Sequence, residues 1–253
     1  MEIKINNLQH SFPGKPEREA LAEINCQIKP GQFVAIVGPS GCGKSTFLRL
    51  IANLLEPSGG EILLDGKAPA EIAAQRRIAW MSQSPALLPW LTVGENVALA
   101  QRFRPQAAQP GLSAEEALLR VGLRDDLDAY PSMLSGGMQQ RLALARILTM
   151  DADLWLMDEP FSALDELTRE RLTIELLELW RPLQPTVLWV THHIYEAIRL
   201  ADRILVMSPA PGRLVGDIQV DLPYPRNEPA PAFQSLLLDL RAMLGQGSKQ
   251  LAL

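Results

Sequence analysis

The chain has 253 residues, a length that suits one α/β domain with an added subdomain better than two independent domains. Its formal net charge of -5 argues against a general nucleic-acid surface, which needs a basic face. Two cysteines, Cys26 and Cys42, indicate neither a disulfide framework nor a zinc site, so a reducing cytoplasm fits best. We find no secretory signal at the start and no apolar run of the ~18 residues that a membrane span needs.

Strands dominate the prediction for the first part of the chain. Apolar or alternating runs predict strands over residues 2–5, 24–28, 33–37 and 61–64. Helical signals prevail from about residue 92 to residue 150, where Ser113 and Glu116 have the spacing of a capping box. Residues 105–111 are expected to form a loop between helices.

From residue 154 onwards, short apolar runs alternate with helical patterns. Strands are expected over residues 154–157, 186–190 and 204–207, and helices over about 166–180 and 194–200. The alternation indicates βαβ units and therefore a parallel sheet. Leu172, Leu176 and Leu179 share one helix face, which core packing explains most simply. A proline-rich connector over 223–231 and a last helix over 233–244 follow.

A glycine-rich loop joins the predicted strand 33–37 to a helix. Gly38, Gly43, Lys44 and Ser45 fit the pattern G-x-x-x-x-G-K-[ST], in which small residues let backbone N–H groups point at phosphate oxygens. Lys44 is expected to reach the β- and γ-phosphates, and the Ser45 hydroxyl to ligate Mg²⁺. The predicted ATP-binding residues of this phosphate loop are Gly38, Pro39, Ser40, Gly41, Cys42, Gly43, Lys44, Ser45 and Thr46.

Two adjacent carboxylates, Asp158 and Glu159, end the predicted strand 154–157. In P-loop NTPases an aspartate at such a strand end helps to hold Mg²⁺, and a neighbouring carboxylate can position or deprotonate the attacking water. A solvated strand end is the alternative for this pair alone. In a chain with a phosphate loop, we assign Asp158 to the metal and Glu159 to catalysis.

A second loop of small residues, Ser135-Gly136-Gly137, follows Leu134 and comes just before the predicted helix 142–148. Such a loop can offer backbone N–H groups, a hydroxyl and a helix dipole to an anion. Here the chain strongly resembles the ATP-binding subunits of ABC transporters, whose signature motif is LSGGQ. Met138 stands where the family commonly has glutamine. The resemblance covers roughly residues 2–220.

The resemblance implies a RecA-like P-loop NTPase fold of the α/β class. Its parts would be a core with a parallel sheet, an antiparallel β subdomain, and an α-helical signature subdomain over about 88–150. This nucleotide-binding domain would span 2–220, and residues 221–253 would add a connector, a helix and a tail. In the family the signature loop binds the γ-phosphate of ATP held by the opposite subunit. A head-to-tail dimer with Ser135, Gly136 and Gly137 at the partner's ATP is therefore implied.

The same resemblance assigns further positions. Gln83 matches the Q-loop glutamine, whose side-chain oxygen can join Mg²⁺ and the attacking water. Asp165 ends the D-loop, residues 162–165, which crosses the dimer interface in the family. His192 matches the switch histidine that contacts the γ-phosphate, although a lone histidine after a strand is more often structural. The adjacent His193 replaces the usual aspartate, and its role stays open.

Phe12 takes the place of the aromatic residue that stacks on adenine in the family, with core packing as an equal alternative. The implied mechanism places ATP and Mg²⁺ on the phosphate loop and closes the dimer through the signature loop. Water then attacks the γ-phosphate in line. Glu159 is expected to act as general base, and His192 to stabilise the charged transition state.

An ATPase that couples energy to a membrane transporter is therefore the expected function. The alternative is a soluble ABC-type ATPase acting in DNA repair or translation. Such a protein would need a long coiled-coil insertion or two fused ATPase halves, and these 253 residues contain neither pattern. The signature loop disfavours a small-molecule kinase. A Rossmann dehydrogenase is also disfavoured. Its pattern G-x-G-x-x-G would match Gly41 and Gly43, but Thr46 stands at the position of the third glycine.

The apolar segment 84–97, bent by prolines, corresponds to the region that receives the coupling helix of the membrane subunit in this family; buried helix packing is the alternative. Its Leu-Leu-Pro-Trp-Leu run and residues 207–213 resemble the nitrate, sulfonate and taurine importer group, which includes importers of pyrimidine or thiamine precursors. The implied partners are a second copy, permease subunits at the inner face of the cell membrane and, indirectly, a solute-binding protein. The solute stays open.

Overall fold

A computed structural model describes residues 1–14, 18–103, 112–162 and 164–249. In chain order the elements are β1 (Ile3–Phe12), β2 (Arg18–Ile28), β3 (Phe33–Val37), α1 (Lys44–Ile51), β4 (Gly59–Leu64), α2 (Pro69–Ala74), β5 (Ile78–Met81), α3 (Val93–Gln101), α4 (Ala114–Arg120), α5 (Gly136–Met150), β6 (Leu154–Asp158), α6 (Glu166–Leu183), β7 (Thr186–Val190), α7 (Ile194–Leu200), β8 (Arg203–Met207), β9 (Leu214–Gln219) and α8 (Pro231–Lys249). The chain forms two compact units, residues 1–70 with 186–253, and residues 71–185.

The first unit contains both antiparallel and parallel strand pairing. β1 lies between β2 and β4 and is antiparallel to both. β3 pairs in parallel with β7 and with β8, and β9 adds an antiparallel strand beside β8. All residues of β3 and β7 are buried. Strands buried on both faces need continuous apolar runs, which explains why neither strand alternates apolar and polar residues.

The second unit combines a strand pair with helices. β5 and β6 run parallel, with Met81 opposite Met157. α3 and α4 both pack against α5. Each of α3 and α4 begins at a capping box, in which the threonine or serine before the helix and the glutamate three residues later bond each other's backbone N–H groups. The capping box predicted at Ser113 is thus confirmed.

Most predicted elements are confirmed within the described residues. The predicted loop over 105–111 lies outside the described residues. The leucine face of α6 is buried, as expected from its spacing. The prediction was incomplete at α2, β5 and β9. Its bounds were also too short at three elements: β1 continues to Phe12, β2 begins at Arg18, and α5 begins at Gly136. The domain limits near residue 220 stay a prediction.

Candidate functional site

Close packing accounts for two glycines of the predicted phosphate loop. At Gly43 the backbone has a φ of 100°, in the left-handed region, and an added Cβ would stand 2.8 Å from the carbonyl oxygen of Ala20. At Gly38 an added Cβ would stand 2.9 Å from Sγ of Cys42 and 3.0 Å from the carbonyl oxygen of Met207. Side chains at either position would therefore displace the loop.

The loop presents positive charge where α1 begins. Nζ of Lys44 donates hydrogen bonds to the carbonyl oxygens of Gly38 at 2.7 Å and Pro39 at 2.9 Å. Gly43, the N-cap residue of α1, provides no side chain to cap the first helical N–H groups. Those groups lack intrahelical partners and carry the positive end of the helix dipole. The loop therefore fits a chain of phosphate groups.

Exposure differs along the loop. Ser40 and Gly41 are exposed, Ser45 is half-buried, and Thr46 is buried. Cys42 is also buried, and this burial raises the pKa of its thiol, although the neighbouring Lys44 opposes the shift. Cys42 therefore belongs to the packed underside of the loop rather than to its exposed face.

His192 follows the strand that pairs with β3. The backbone N–H of Thr191 donates to the carbonyl oxygen of Ile36 at 3.2 Å, just before the phosphate loop. Because β3 and β7 are parallel, the phosphate loop and His192 both leave the carboxyl edge of the same sheet, where α/β proteins commonly bind ligands. His192 is exposed and His193 is half-buried, with ring centroids 4.1 Å apart. The difference in exposure favours His192 for contact with a ligand.

Phe12 ends β1 and is half-buried. Its ring makes an edge contact with His10, with the centroids 4.7 Å apart and the planes at 87°. This contact gives Phe12 a packing role, so the stacking of Phe12 on adenine stays a prediction.

In the second unit the structure brings the predicted metal ligand Gln83 next to the predicted catalytic residue Glu159. Gln83 and Glu159 follow the parallel strands β5 and β6, and Nε2 of Gln83 donates to Oε2 of Glu159 at 3.1 Å. Glu159 adopts a φ of 48°, a left-handed conformation that costs an L-residue roughly 1–2 kcal/mol. Asp158, the last residue of β6, is only 3% exposed. A strained backbone and a buried carboxylate thus lie next to each other where the sequence predicts chemistry.

The donor chemistry of the predicted metal ligands suits Mg²⁺. The Ser45 hydroxyl, the Gln83 amide oxygen and the Asp158 carboxylate are hard oxygen ligands. Magnesium needs only one or two protein carboxylates when waters and phosphate oxygens complete its octahedral shell. A single carboxylate in this set therefore fits Mg²⁺ bound together with a nucleotide.

The signature loop forms the first turn of α5. Ser135 is the N-cap residue, and its Oγ accepts a hydrogen bond from the Met138 N–H at 3.3 Å. A Cβ added at Gly137 would stand 2.9 Å from Cδ2 of Leu164, whereas one at Gly136 would meet no heavy atom of the described residues within 4 Å. Gly136 thus leaves open space at a helix N-terminus, which is the feature that an anion requires.

The predicted D-loop leads into α6, although its Ala163 lies outside the described residues. Asp165 caps α6 by accepting a hydrogen bond from the Thr168 N–H at 3.0 Å, and this bond lowers the pKa of the Asp165 carboxyl. Arg169, which the sequence did not single out, donates from Nη2 to the carbonyl oxygen of Leu164 at 2.6 Å. One guanidinium therefore holds the end of the loop on the helix. The proposed contact of Asp165 with a second copy stays a prediction.

Asn96 is a second residue that sequence reasoning missed. It is 1% exposed, and its Oδ1 accepts from the Leu88 N–H at 2.9 Å. Its Nδ2 donates to the carbonyl oxygens of Leu88, Leu91 and Thr92 at 2.9–3.1 Å. The side chain thereby folds the segment that carries Trp90, whose exposed fraction is 68%. A polar residue within an apolar helix pattern was the available signal.

Comparison with known proteins decides the family. A family model described as ABC transporter matches residues 21–162, more than half of the chain. The chain belongs to the ABC transporter family. This ABC chain is 46% identical over 229 residues to a Brucella abortus biovar 1 protein provisionally named as ATP-binding, covering 90% of this chain and 86% of the relative. It is 38% identical over 238 residues to the aliphatic sulfonates import ATP-binding protein SsuB of Bacillus cereus, covering 93% of each.

A solved structure extends the comparison to the fold. The dimeric post-hydrolysis state of the ATP-binding cassette MJ0796, bound to ADP and Pi, matches with a TM-score of 0.76 and 33% identity, covering 87% of this ABC chain and 99% of that chain. The match confirms the predicted α/β P-loop NTPase fold. With the family match, it also confirms the prediction that the chain is an ABC-type ATPase.

Within the part of the chain that the structure describes, no helix is both long enough and apolar enough to cross a membrane.

Proposed function

We propose that this ABC ATPase is the energy-coupling subunit of an import system and works as a dimer on membrane permease subunits. The observation that carries the hydrolytic part of the proposal is the hydrogen bond between Gln83 and Glu159, since it orients a carboxylate at the end of β6 beside the buried Asp158. The solved ATP-binding cassette MJ0796 is dimeric, and a relative at 38% identity is named as an import subunit.

Each proposed site residue has a role in ATP hydrolysis. Lys44 and the N-terminus of α1 bind the phosphates, while Ser45, Gln83 and Asp158 are the proposed Mg²⁺ ligands. When bound, Mg²⁺ neutralises the charge on the phosphate oxygens. Glu159 removes a proton from the attacking water, and His192 stabilises the charge that develops on the γ-phosphate. Phe12 is proposed to stack on adenine.

The open first turn of α5 supports dimer formation through the signature loop. Ser135, Gly136 and Gly137 are proposed to offer N–H groups to the γ-phosphate of ATP on a second copy, in a head-to-tail arrangement. Asp165 is proposed to lie at the same interface. A single copy then binds ATP, but two copies are required to complete each hydrolytic site.

The segment that Asn96 folds is proposed to contact the permease. Trp90 is largely exposed, and exposed aromatic residues are typical anchors of protein interfaces. The chain would then act peripherally at the cytoplasmic face of the membrane. A solute of the nitrate, sulfonate, taurine or pyrimidine/thiamine-precursor type, delivered by a solute-binding protein, is the proposed cargo, and the sulfonate-import relative supports this group.

Replacement of Glu159 by glutamine tests the hydrolytic role. We expect Glu159→Gln to abolish phosphate release while ATP still binds, and to accumulate an ATP-bound dimer in size-exclusion chromatography. Glu178→Gln is the control, because Glu178 is an exposed glutamate on α6 in the same unit. Near-normal hydrolysis by Glu159→Gln would assign the base to another residue.

Affinity purification from membranes tests the importer role against the alternative of a soluble ABC-type ATPase. We expect Trp90→Ala to lose the co-purifying permease while ATP binding persists. Leu119→Ala is the control, since Leu119 is 55% exposed in the same unit but lies on α4. Retention of no membrane protein by the unmodified chain would support the soluble alternative.

A further inference from the structure

A buried hydrogen-bond chain lies beneath the turn that carries His192. The Thr191 hydroxyl donates to Oε2 of Glu196 at 2.8 Å, and the Thr191 oxygen accepts from the backbone N–H of His193 at 3.0 Å. Nε1 of Trp189 donates to the same carboxylate oxygen at 3.3 Å. Trp189, Thr191 and Glu196 are at most 5% exposed. Buried polar groups are costly unless hydrogen bonded, so these contacts restrict the turn strongly.

The Glu196 carboxylate determines how the Thr191 hydroxyl is oriented. The Thr191 hydroxyl donates its proton to Oε2 of Glu196, an oxygen that also accepts the Trp189 N–H. The lone pairs of the hydroxyl oxygen are then directed away from Glu196 and accept the His193 N–H. This arrangement fixes the peptide between His192 and His193, and with it the direction in which the His192 side chain leaves the backbone.

The helix that carries Glu196 is held at its other end as well. Nη1 of Arg226, from the C-terminal connector, donates to the carbonyl oxygens of Ile198 at 2.7 Å and Ala201 at 2.6 Å. The Tyr224 hydroxyl donates to the carbonyl oxygen of Leu200 at 2.9 Å. Because both ends of α7 are bonded, α7 cannot easily shift to restore a lost contact at Thr191.

We propose that Thr191 and Glu196 are positioning residues that orient His192 for ATP hydrolysis. The proposal rests on the proposed role of His192 at the γ-phosphate. Neither residue needs to touch the nucleotide, since both act through the backbone of the turn. Loss of the contact leaves His192 present but misdirected, and small misplacements of a catalytic group reduce turnover more than substrate binding.

Steady-state kinetics of matched variants test this proposal. Thr191→Val removes the hydroxyl at nearly constant volume, Thr191→Ser keeps it, and Glu196→Gln weakens the acceptor. We expect Thr191→Val to lower kcat about 10-fold or more with KM for ATP changed less than about 3-fold, and Thr191→Ser to retain most of kcat. Thr173→Val is the control, since Thr173 is an equally buried threonine whose hydroxyl bonds the carbonyl oxygen of Arg169.

Nuclear magnetic resonance separates positioning from a general loss of stability. The chain has only three histidines, so a sample with ¹⁵N-labelled histidine gives a simple spectrum. We expect Thr191→Val and Glu196→Gln to shift the His192 and His193 signals but not that of His10, and Thr173→Val to leave all three unchanged. If Thr191→Val does not fold, Glu196→Gln decides by the same criteria.

The His192→Ala variant tests the role of His192 in hydrolysis separately from the positioning role of Thr191 and Glu196. If His192→Ala hydrolyses ATP normally, the proposed role of His192 is wrong. If His192→Ala is inactive while folded Thr191→Val and Glu196→Gln keep the unmodified kcat, the positioning role is wrong and the proposed function stands. A fall in kcat for both variants together with shifted His192 signals supports positioning.

Discussion

Nε2 of Gln83 donates a hydrogen bond to Oε2 of Glu159 at 3.1 Å, across the ends of two parallel strands. The bond orients a carboxylate whose backbone already lies in the left-handed region. Strain of this kind persists only where surrounding structure imposes it, and it is concentrated at functional sites. Gln83 thus has a role towards Glu159 in addition to its predicted role as a metal ligand.

Substitution of Gln83 should change the pH dependence of hydrolysis. In Gln83→Glu two carboxylates would face each other, and like charges at this distance raise the pKa of one of them. A base with a raised pKa is protonated to a higher pH, so we expect the ascending limb of the kcat–pH profile to move to higher pH. Gln83→Ala should lower kcat without this displacement of the pH profile.

Gln101→Ala, which removes another side-chain amide contact in the same unit, is the control for the Gln83 variants. Superimposable pH profiles for Gln83→Glu and the unmodified chain would contradict the pairing.

The left-handed backbone at Glu159 should appear as a stability difference between two inactive variants. Glycine adopts a φ of 48° without the steric cost that a Cβ imposes, whereas alanine retains that cost. We expect Glu159→Gly to unfold with a free energy equal to, or up to ~1 kcal/mol above, that of Glu159→Ala in urea titrations. A Glu159→Gly variant clearly less stable than Glu159→Ala would show that the backbone is not strained there.

The parts of the site that sequence could predict are those that local chain geometry determines. The phosphate loop and the signature loop each combine small residues with a following helix, and both patterns are readable within ten residues. Asn96, Arg169 and Glu196 could not be predicted in the same way. Their partners lie within eight residues along the chain, but each contact forms only when the turn between them folds back on the helix. A lone polar residue in a helical pattern, as at Asn96, signals an exception without indicating which group it bonds.

The missed strands have a comparable explanation. β5 is only four residues long and no turn signal precedes it, so its parallel pairing with β6 decides its conformation. β9 contains Gly216 and Asp217, which are poor strand formers, and it is stabilised by antiparallel pairing with β8. Burial and pairing override local propensity in both cases.

Alanine substitutions at two glycines should separate packing from function. Gly43→Ala places a Cβ against the Ala20 carbonyl in a left-handed conformation, so we expect a loss of about 2–4 kcal/mol in unfolding free energy together with loss of ATP binding. Gly136→Ala has space and lies in a helix, so stability should stay equal or rise by up to ~1 kcal/mol. ATP hydrolysis by Gly136→Ala should nevertheless fall if the signature loop binds phosphate. Full hydrolysis by that variant would contradict the proposed phosphate contact at Gly136.

Both cysteines should react slowly in the folded chain. Burial raises the pKa of Cys26 to about 12 and also raises that of Cys42. Only the thiolate reacts, so little reactive species exists at pH 8. We expect Ellman's reagent to label the native chain much more slowly than the chain in denaturant, with or without ATP. Rapid labelling of one thiol under native conditions would show that its surroundings open readily.

Removal of the Arg226 guanidinium should destabilise the first unit. Its side chain is 8% exposed overall and donates to the carbonyl oxygens of Ile198, Ala201 and Val220. Arg226→Met keeps most of the apolar stem but leaves those carbonyls without that donor, and each unsatisfied buried group costs about 1–3 kcal/mol. We therefore expect the free energy of unfolding in urea to fall by about 3 kcal/mol.

Arg241→Met is the control, since Arg241 is exposed on α8. This substitution should lower the free energy of unfolding by less than about 0.5 kcal/mol. Equal stabilities of the two variants would mean that solvent replaces the Arg226 contacts at little cost.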